Sequence, residues 1–156
     1  MYKKYFLIIS LLFLSISVSQ KNNNNVINKV SFMGNKLIDS DELRDQIELK
    51  PPSIMMFSSI DFDRRLLKLD AINIKNYYNS KGFLETTVKD SFYVNDNKVD
   101  IFFLIYEGRQ FILKNVKIEG LNSLDDNDVL LSLGLLEGQP YNPIIINKKL
   151  SIIDDL

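Results

Sequence analysis

The sequence of 156 residues contains no cysteine and no histidine. Without cysteine the chain has no disulfide bonds, no thiolate nucleophile and no N-terminal cysteine for lipid attachment. Without histidine it lacks the commonest general base, and without both it lacks the usual zinc ligands. We therefore expect no enzymatic activity, no metal site and no cofactor.

The charge balance excludes a further class of protein. The chain carries 19 basic and 20 acidic residues, for a formal charge of −1. Its lysines and arginines form no stripe with interleaved aromatic side chains, as a nucleic-acid-binding surface would have. We expect no nucleic-acid partner. Apolar residues make up 46% of the chain, which is enough for a folded core.

Residues 1–19 have the layout of a secretory signal peptide. Two lysines precede an apolar run at residues 5–14, and small residues at 17–19 precede a cleavage point before Gln20. The apolar stretch is shorter than the roughly 20 residues that a membrane-spanning helix needs. We predict cleavage, export, and a flexible asparagine-rich leader over residues 20–26.

An internal repeat of roughly 85 residues organises the rest of the chain. Residues 30–49 align with residues 116–135 without a gap, and the aligned apolar, glycine and acidic positions agree. After a two-residue shortening, Asp63 aligns with Asn147. The sequence therefore predicts two copies of one module.

Three strands are predicted in the first copy. Residues 30–33 alternate between apolar and polar side chains, which indicates a half-buried strand. Residues 83–94 alternate with one wet face, and 95–97 form a hairpin turn. Residues 99–106 are apolar on both faces from Ile101 onward, which favours an inner strand and places 83–94 at an edge of the sheet.

Two helices are predicted between the first and second strands. Asp39 and Glu42 have the spacing of a capping box for the first helix, which we expect Pro51-Pro52 to end. Asp61 or Asp63 caps the second helix. The apolar face of that helix comprises Phe62, Leu66, Leu69 and Tyr77, widened by Leu67, Ile74 and Tyr78. The module reads β-α-α-β-β, an α+β fold with two helices on a three-stranded mixed sheet.

The motifs of this module resemble those of POTRA domains. They are V-x-F-x-G-N at residues 30–35, D-x-x-L-L-x-L at 63–69, Y-Y-x-x-K-G-F at 77–83 and Y-E-G at 106–108. The second copy restarts the pattern and adds L-E-G-Q-P-Y at 136–141. Tandem POTRA domains of this kind occur in the BamA family of outer-membrane protein assembly factors.

The resemblance implies one POTRA domain at residues 27–108 and a second, incomplete one at 109–156. We therefore interpret the chain as part of a longer protein with a C-terminal membrane barrel that is absent here. The implied location is the periplasmic side of the bacterial outer membrane. The implied partners are unfolded barrel precursors, accessory assembly lipoproteins and neighbouring POTRA domains. Alternatives that stay open are a TamA-like or two-partner-secretion translocase, a stand-alone periplasmic interaction module and a divisome-type POTRA protein.

The mechanism that the resemblance implies is β-augmentation, in which a client strand adds to an exposed sheet edge. The candidate client-binding residues lie on the wet face of the 83–94 strand and are Glu85, Thr87, Lys89 and Ser91. We expect proline at Thr87 or Lys89 to remove an edge donor or to bend the strand, and so to weaken client binding. Motif residues with an expected structural role are Gly34, Asn35, Gly82, Phe83, Gly108, Gly120 and Gly138.

Other candidate sites have simpler interpretations. The acidic clusters at residues 39–42 and 125–128 lack the spacing of a calcium loop, and acids favour helix N-termini, so we interpret them as caps. Asp61 and Asp63 also lie at a predicted helix start, with no nucleophile motif beside them. The face carrying Phe102, Leu104 and Tyr106 is either a partner surface or the side covered by helices, and the sequence does not separate these alternatives.

Overall fold

The computed structural model of the protein describes residues 25–52, 61–117 and 126–154. One mixed sheet is formed by β1 (Val26–Met33), β2 (Thr87–Asn95) and β3 (Lys98–Tyr106). The strand order is β1-β3-β2, with β3 parallel to β1 and antiparallel to β2. The third strand is therefore the inner one, as predicted. The predicted signal peptide lies outside the described residues, and Val26, predicted as leader, is the first residue of β1.

Four helices accompany the sheet in the described ranges: α1 (Ser40–Asp45), α2 (Arg64–Ser80), α3 (Asp126–Leu133) and α4 (Pro143–Asp154). The first two belong to the same module as the sheet and confirm the predicted α+β architecture. Within the three described ranges, no helix has the length and hydropathy needed to cross a membrane.

The core lies between α2 and one face of the sheet. From α2 it receives Leu67, Ala71, Ile74 and Tyr78, and from β3 it receives Val99, Ile101, Phe103 and Ile105. Leu69, which we expected in the core, is 51% exposed. At 3.6 residues per turn, a residue two positions from Leu67 lies on the opposite side of the helix. The buried face of α2 is thus narrower than predicted.

The first helix differs from its prediction at both ends. At its start, Asp39 makes no side-chain cap, and the Glu42 carboxylate instead accepts a hydrogen bond from the Tyr77 hydroxyl at 2.6 Å. At its end, the helix stops at Asp45, well before the two prolines. Ile47 and Leu49 are still buried, but they lie in the loop that follows.

The second helix ends as predicted, but the strand after it begins later. Gly82 has a φ of +89°, and the Phe83 amide donates to the Tyr78 carbonyl at 3.0 Å, which is the Schellman pattern. The Tyr78 and Phe83 rings pack edge to face with centroids 5.7 Å apart. The Thr86 hydroxyl then donates to the Phe83 carbonyl, so residues 83–86 form a turn and not strand.

The β2–β3 hairpin confirms its predicted turn. Asp96 and Asn97 both have positive φ, at 48° and 63°. This is the signature of a two-residue type I′ turn, whose twist matches that of the two strands it joins.

The second copy follows the repeat in part. Helix α3 lies where the repeat predicts the counterpart of α1, since Asp126 aligns with Ser40, the first residue of α1. Helix α4 is capped by Asn142, whose Oδ1 accepts from the Ile144 and Ile145 amides at 3.1 and 3.2 Å. Helix α4 therefore begins five residues earlier than the alignment of Asp63 with Asn147 predicts. Of the strand expected at 116–120, the first two residues are irregular and the rest lie outside the described residues.

Candidate binding edge of the sheet

The outer edge of β2 is unpaired over its whole length in the part of the chain that the structure describes. The nine residues of β2 pair with β3 in one continuous antiparallel register, from Thr87–Tyr106 to Asn95–Lys98. An edge strand presents a row of free N–H and C=O groups to any strand that approaches it. The sheet therefore offers a regular edge for the addition of another strand.

The register identifies the backbone groups that point outward. The Val26 amide of β1 donates to the Asn97 carbonyl. At the start of β3, the backbone N–H and C=O groups of odd-numbered residues therefore point towards β1, and those of even-numbered residues point towards β2. Even-numbered β3 residues are opposite odd-numbered β2 residues. Since paired and outward groups alternate along an antiparallel strand, the outward groups of β2 belong to Val88, Asp90, Phe92 and Val94. Proline at Thr87 or Lys89 would therefore remove a bond to β3, and the edge donor expected there is wrong.

The opposite edge of the sheet, along β1, is less regular. Its register with β3 shifts between Ile27 and Lys29, so the pairing is interrupted there. At its N-terminal end, the Asn25 carbonyl accepts from the Phe62 amide at 2.9 Å, and Val26 forms an isolated bridge with Asp61. Part of this edge is thus already in use, which leaves β2 as the better candidate.

The predicted client-binding side chains do not all lie on the strand. Thr87, Lys89 and Ser91 are exposed on the sheet face turned away from the helices. Glu85 precedes β2 in the 83–86 turn, where its carboxylate forms an ion pair with Arg109 at 3.2 Å. Its assignment to the edge strand is therefore wrong.

The outer face of the sheet resolves the alternative that the sequence left open. The helices cover the face with Phe103, whereas Leu104 is 52% exposed and Tyr106 is 67% exposed on the other face. Met33, which is the register partner of Leu104, is 45% exposed. Phe102 lies on the same face and is partly buried. In the described chain this face is open, and it adjoins the wet side chains of β2.

The helix-facing side of the β2 edge is held by aromatic contacts. The Phe92 ring lies against the Phe62 ring with centroids 4.6 Å apart, and the Arg64 guanidinium lies 4.9 Å from the Phe92 ring centroid. Arg64 is the first residue of α2, so these contacts fix the middle of β2 to the start of that helix. The edge is therefore preorganised on its inner side.

The acids at the start of α2 act structurally. The Asp63 carboxylate accepts from the Arg65 amide at 2.7 Å and forms an ion pair with the Arg65 guanidinium at 2.8 Å. These hydrogen bonds hold the pKa of Asp63 below its usual value. Of the two candidates, Asp61 and Asp63, it is thus Asp63 that caps α2. Among the described residues, no cluster of three or more acidic, cysteine or histidine side chains could hold a metal ion.

The predicted motif residues close the end of the module. Gly34 has a φ of +89°, and a Cβ there would collide with the Ile105 carbonyl oxygen, so the end of β1 can approach β3 only through a glycine. The Asn35 amide donates to the Ile38 carbonyl and to the Ser40 hydroxyl, both at 3.1 Å. Gly108 lies against Glu85. Gly34 and Asn35 thus form part of the loop after β1. Gly120 lies outside the described residues.

Glu107 is a buried acid whose role the sequence reasoning missed. One oxygen, Oε1, accepts from the Lys36 and Leu37 amides at 2.9 Å each and from the Tyr78 hydroxyl at 3.0 Å. It therefore joins the loop after β1, the end of β3 and the core of α2. Burial, followed by the hydrogen bond to Glu107, raises the pKa of the Tyr78 hydroxyl. The acid in the Y-E-G motif was the signal that could have found it.

Asp70 is a second buried acid that the apolar pattern concealed. Its two carboxylate oxygens accept from the Glu48 and Leu49 amides at 2.8 and 3.0 Å. Burial raises the pKa of Asp70, while these two backbone hydrogen bonds oppose that shift. Its position three residues after Leu67 and four before Ile74 places it on the buried helix face, which was the available signal. Asp70 thus holds the loop that follows α1, in residues that were predicted to be helical.

Comparisons with known proteins agree with this geometry. A POTRA family model, described as surface antigen variable number repeat, matches residues 25–108. The crystal structure of Haemophilus influenzae BamA POTRA3-5 is similar, with a TM-score of 0.58, 23% identity, and coverage of 82% of this chain and 52% of that one.

A second similar structure is POTRA1-3 of the periplasmic domain of Omp85 from Anabaena. It has a TM-score of 0.49 and 13% identity, with coverage of 83% of this chain and 49% of that one. The chain thus spans about half the length of each of these two structures. The fold is shared with the BamA structure, and the family model covers more than half of the chain. The chain belongs to the POTRA family.

Proposed function

We propose that this chain is the periplasmic POTRA region of an outer-membrane β-barrel assembly factor, and that it binds unfolded barrel precursors through the outer edge of β2. The observation that carries the proposal is a nine-residue edge strand in a POTRA domain, with a continuous register to β3 and an outer edge that no strand of the described residues pairs with. We place the domains at residues 27–108 and 109–156. The predicted signal peptide supports export to the periplasm.

The edge suits clients of varied sequence. A client strand would bond to the outward backbone groups of Val88, Asp90, Phe92 and Val94, and backbone groups are the same in every client. Client side chains on the outer face would lie beside Lys89 and extend the open face of the sheet. Those on the other side would lie beside Phe92 and the start of α2. Alternating apolar and polar side chains are typical of barrel strands.

Accessory assembly lipoproteins, neighbouring POTRA domains and a C-terminal membrane barrel complete the proposed assembly. A TamA-like or two-partner-secretion translocase would use the same edge chemistry. Binding of precursor strands by this chain is therefore the property to test first, because each of these functions depends on it.

The test is a titration of the chain with a synthetic peptide that has the alternating sequence of one outer-membrane barrel strand. Asp90→Pro removes an outward N–H and leaves the bonds to β3 in place, and proline is tolerated in edge strands when its missing N–H would face solvent. A lost hydrogen bond is worth roughly 1 kcal/mol, or about fivefold in affinity. We expect Asp90→Pro to weaken peptide binding at least that much, as measured by NMR shifts of the β2 amides.

Two matched variants complete the design. Asp90→Ala changes the same side chain and keeps the N–H, so its affinity should remain within about twofold of the original protein. Lys89→Pro removes a bond to β3 instead, so it should lower the urea midpoint of unfolding. Equal peptide binding by Asp90→Pro and Asp90→Ala, with both folded, would refute augmentation at β2.

A further inference from the structure

The last carbonyl group of α2 and the two carbonyl groups that follow it accept hydrogen bonds from residues beyond the first module. The Ser80 carbonyl accepts from Asn142 Nδ2 at 3.1 Å, and the Lys81 carbonyl accepts from Gln110 Nε2 at 2.9 Å. The Gly82 carbonyl accepts from the Phe111 amide at 2.8 Å. Three consecutive acceptors at one helix end are thus occupied by three donors from the chain after residue 108.

Helix ends explain why this matters. The last four carbonyls of an α-helix have no partner within the helix. In α2, the Schellman turn supplies donors for Tyr78 and Asn79, from the Phe83 and Gly82 amides. The carbonyls from Ser80 onward accept no hydrogen bond from that turn. Residues of the second module donate these hydrogen bonds instead.

The segments that carry these donors are joined to each other by backbone hydrogen bonds between residues 111–113 and 138–141. The Leu113 amide donates to the Gln139 carbonyl, and the Gly138 amide donates to the Leu113 carbonyl, both at 2.8 Å. The Tyr141 amide donates to the Phe111 carbonyl at 2.9 Å. We call residues 80–82, 110–113 and 138–142 the joint.

Gly82 has a second constraint at this joint, besides its positive φ. A Cβ there would lie 2.5 Å from the Phe111 carbonyl oxygen and 3.3 Å from the Pro140 Cβ. A side chain at this position would therefore separate the end of α2 from the chain that caps it. The lysine-glycine-phenylalanine sequence at the helix end serves both the Schellman turn and the joint.

We propose that the second module is the C-terminal cap of α2, so that docking of the modules and closure of the last turn of α2 form one cooperative unit. The orientation of the second module is set by backbone acceptors of the first. This inference concerns the joint and is independent of client binding at β2.

The experiment uses two isosteric substitutions in the full chain, Asn142→Asp and Gln110→Glu. Each replaces an N–H donor by an oxygen that repels the carbonyl it faces. Asp caps helices as well as Asn does and suits a helix N-terminus electrostatically, so α4 keeps its cap. With about fivefold per lost hydrogen bond, the double variant should speed exchange of the Lys81, Gly82 and Phe83 amides about 25-fold, together with the Phe111 and Tyr141 amides.

Controls separate coupling from general loosening. Gln46→Glu removes a comparable glutamine donor from the Glu42 carbonyl at the end of α1, away from the joint. It should leave all five reporter amides unchanged, and the amides of Ala71 and Ile74 should stay protected in every variant. Faster exchange at Phe111 and Tyr141 without any change at the end of α2 would overturn the proposal, as would unchanged exchange at both places.

Discussion

From Ile101 onward the two faces of β3 are almost equally apolar in sequence, but they differ in burial. Val99, Ile101, Phe103 and Ile105 face the helices and are buried, whereas Leu104 and Tyr106 on the other face are half or more exposed. The hydrophobic content of the inner strand therefore does not determine which of its faces becomes the core. The core forms on the face against which the helices pack, because the apolar faces of the helices cover only one side of the sheet.

Truncation of Phe103 gives the largest expected effect. This side chain is fully buried and stacks on the Phe32 ring with centroids 5.6 Å apart. Phe103→Ala should cost about 3–5 kcal/mol of unfolding free energy, because a buried aromatic leaves a cavity. Urea unfolding followed by circular dichroism measures it, and Phe103→Leu offers a milder variant if the alanine form does not fold. A loss below about 1 kcal/mol would contradict the assignment of this face as the core.

Changes at Glu107 should give the next largest effect, since this acid ties the covered face to the loop after β1. Glu107→Ala leaves three donors without their acceptor, and we expect a loss of about 2–4 kcal/mol. Glu107→Gln keeps an Oε1 in the same place, so it should cost about 1 kcal/mol. Unfolding curves of both variants provide the measurement. If the two losses were equal, the negative charge and not the shared acceptor would be the stabilising feature.

Much of the first module could be predicted from the sequence because its signals are local. The alternation in β2, the glycine after α2 and the Asp96-Asn97 turn each depend on a few neighbouring residues. Local signals failed where a distant side chain controls the backbone. Helix α1 ends early because Asp70, more than twenty positions along the chain, accepts from the amides of Glu48 and Leu49.

The candidate site shows the same limit. The edge position of β2 followed from its wet face. Residues 83–86, which were predicted to begin this strand, form a turn because the Thr86 hydroxyl bonds to the Phe83 and Glu107 carbonyls. To identify the outward-pointing N–H groups of β2, the register with β3 had to be known, since side-chain alternation alone does not show which backbone groups face β3. The open face around Leu104 required the position of the helices. Each missing fact concerns a contact between distant parts of the chain.

The smallest expected effect tests the comparison of the two faces most directly. Leu104 is the next residue after Phe103 and lies on the open face beside Met33 and Lys89. Leu104→Thr keeps a residue that suits a strand and removes a side chain that is only half buried, so it should cost about 1 kcal/mol or less. Peptide affinity at β2 should stay within about twofold, since Lys89 lies between Leu104 and the edge.

A stability loss at Leu104 as large as that of Phe103→Ala would mean that the open face is covered in solution. The dependence of the unfolding midpoint on protein concentration would then identify the cover. A midpoint that rises with concentration indicates a second copy of the chain on this face. A constant midpoint indicates a segment of the same chain. Either result would replace the contrast between a covered and an open face by two covered faces of one sheet.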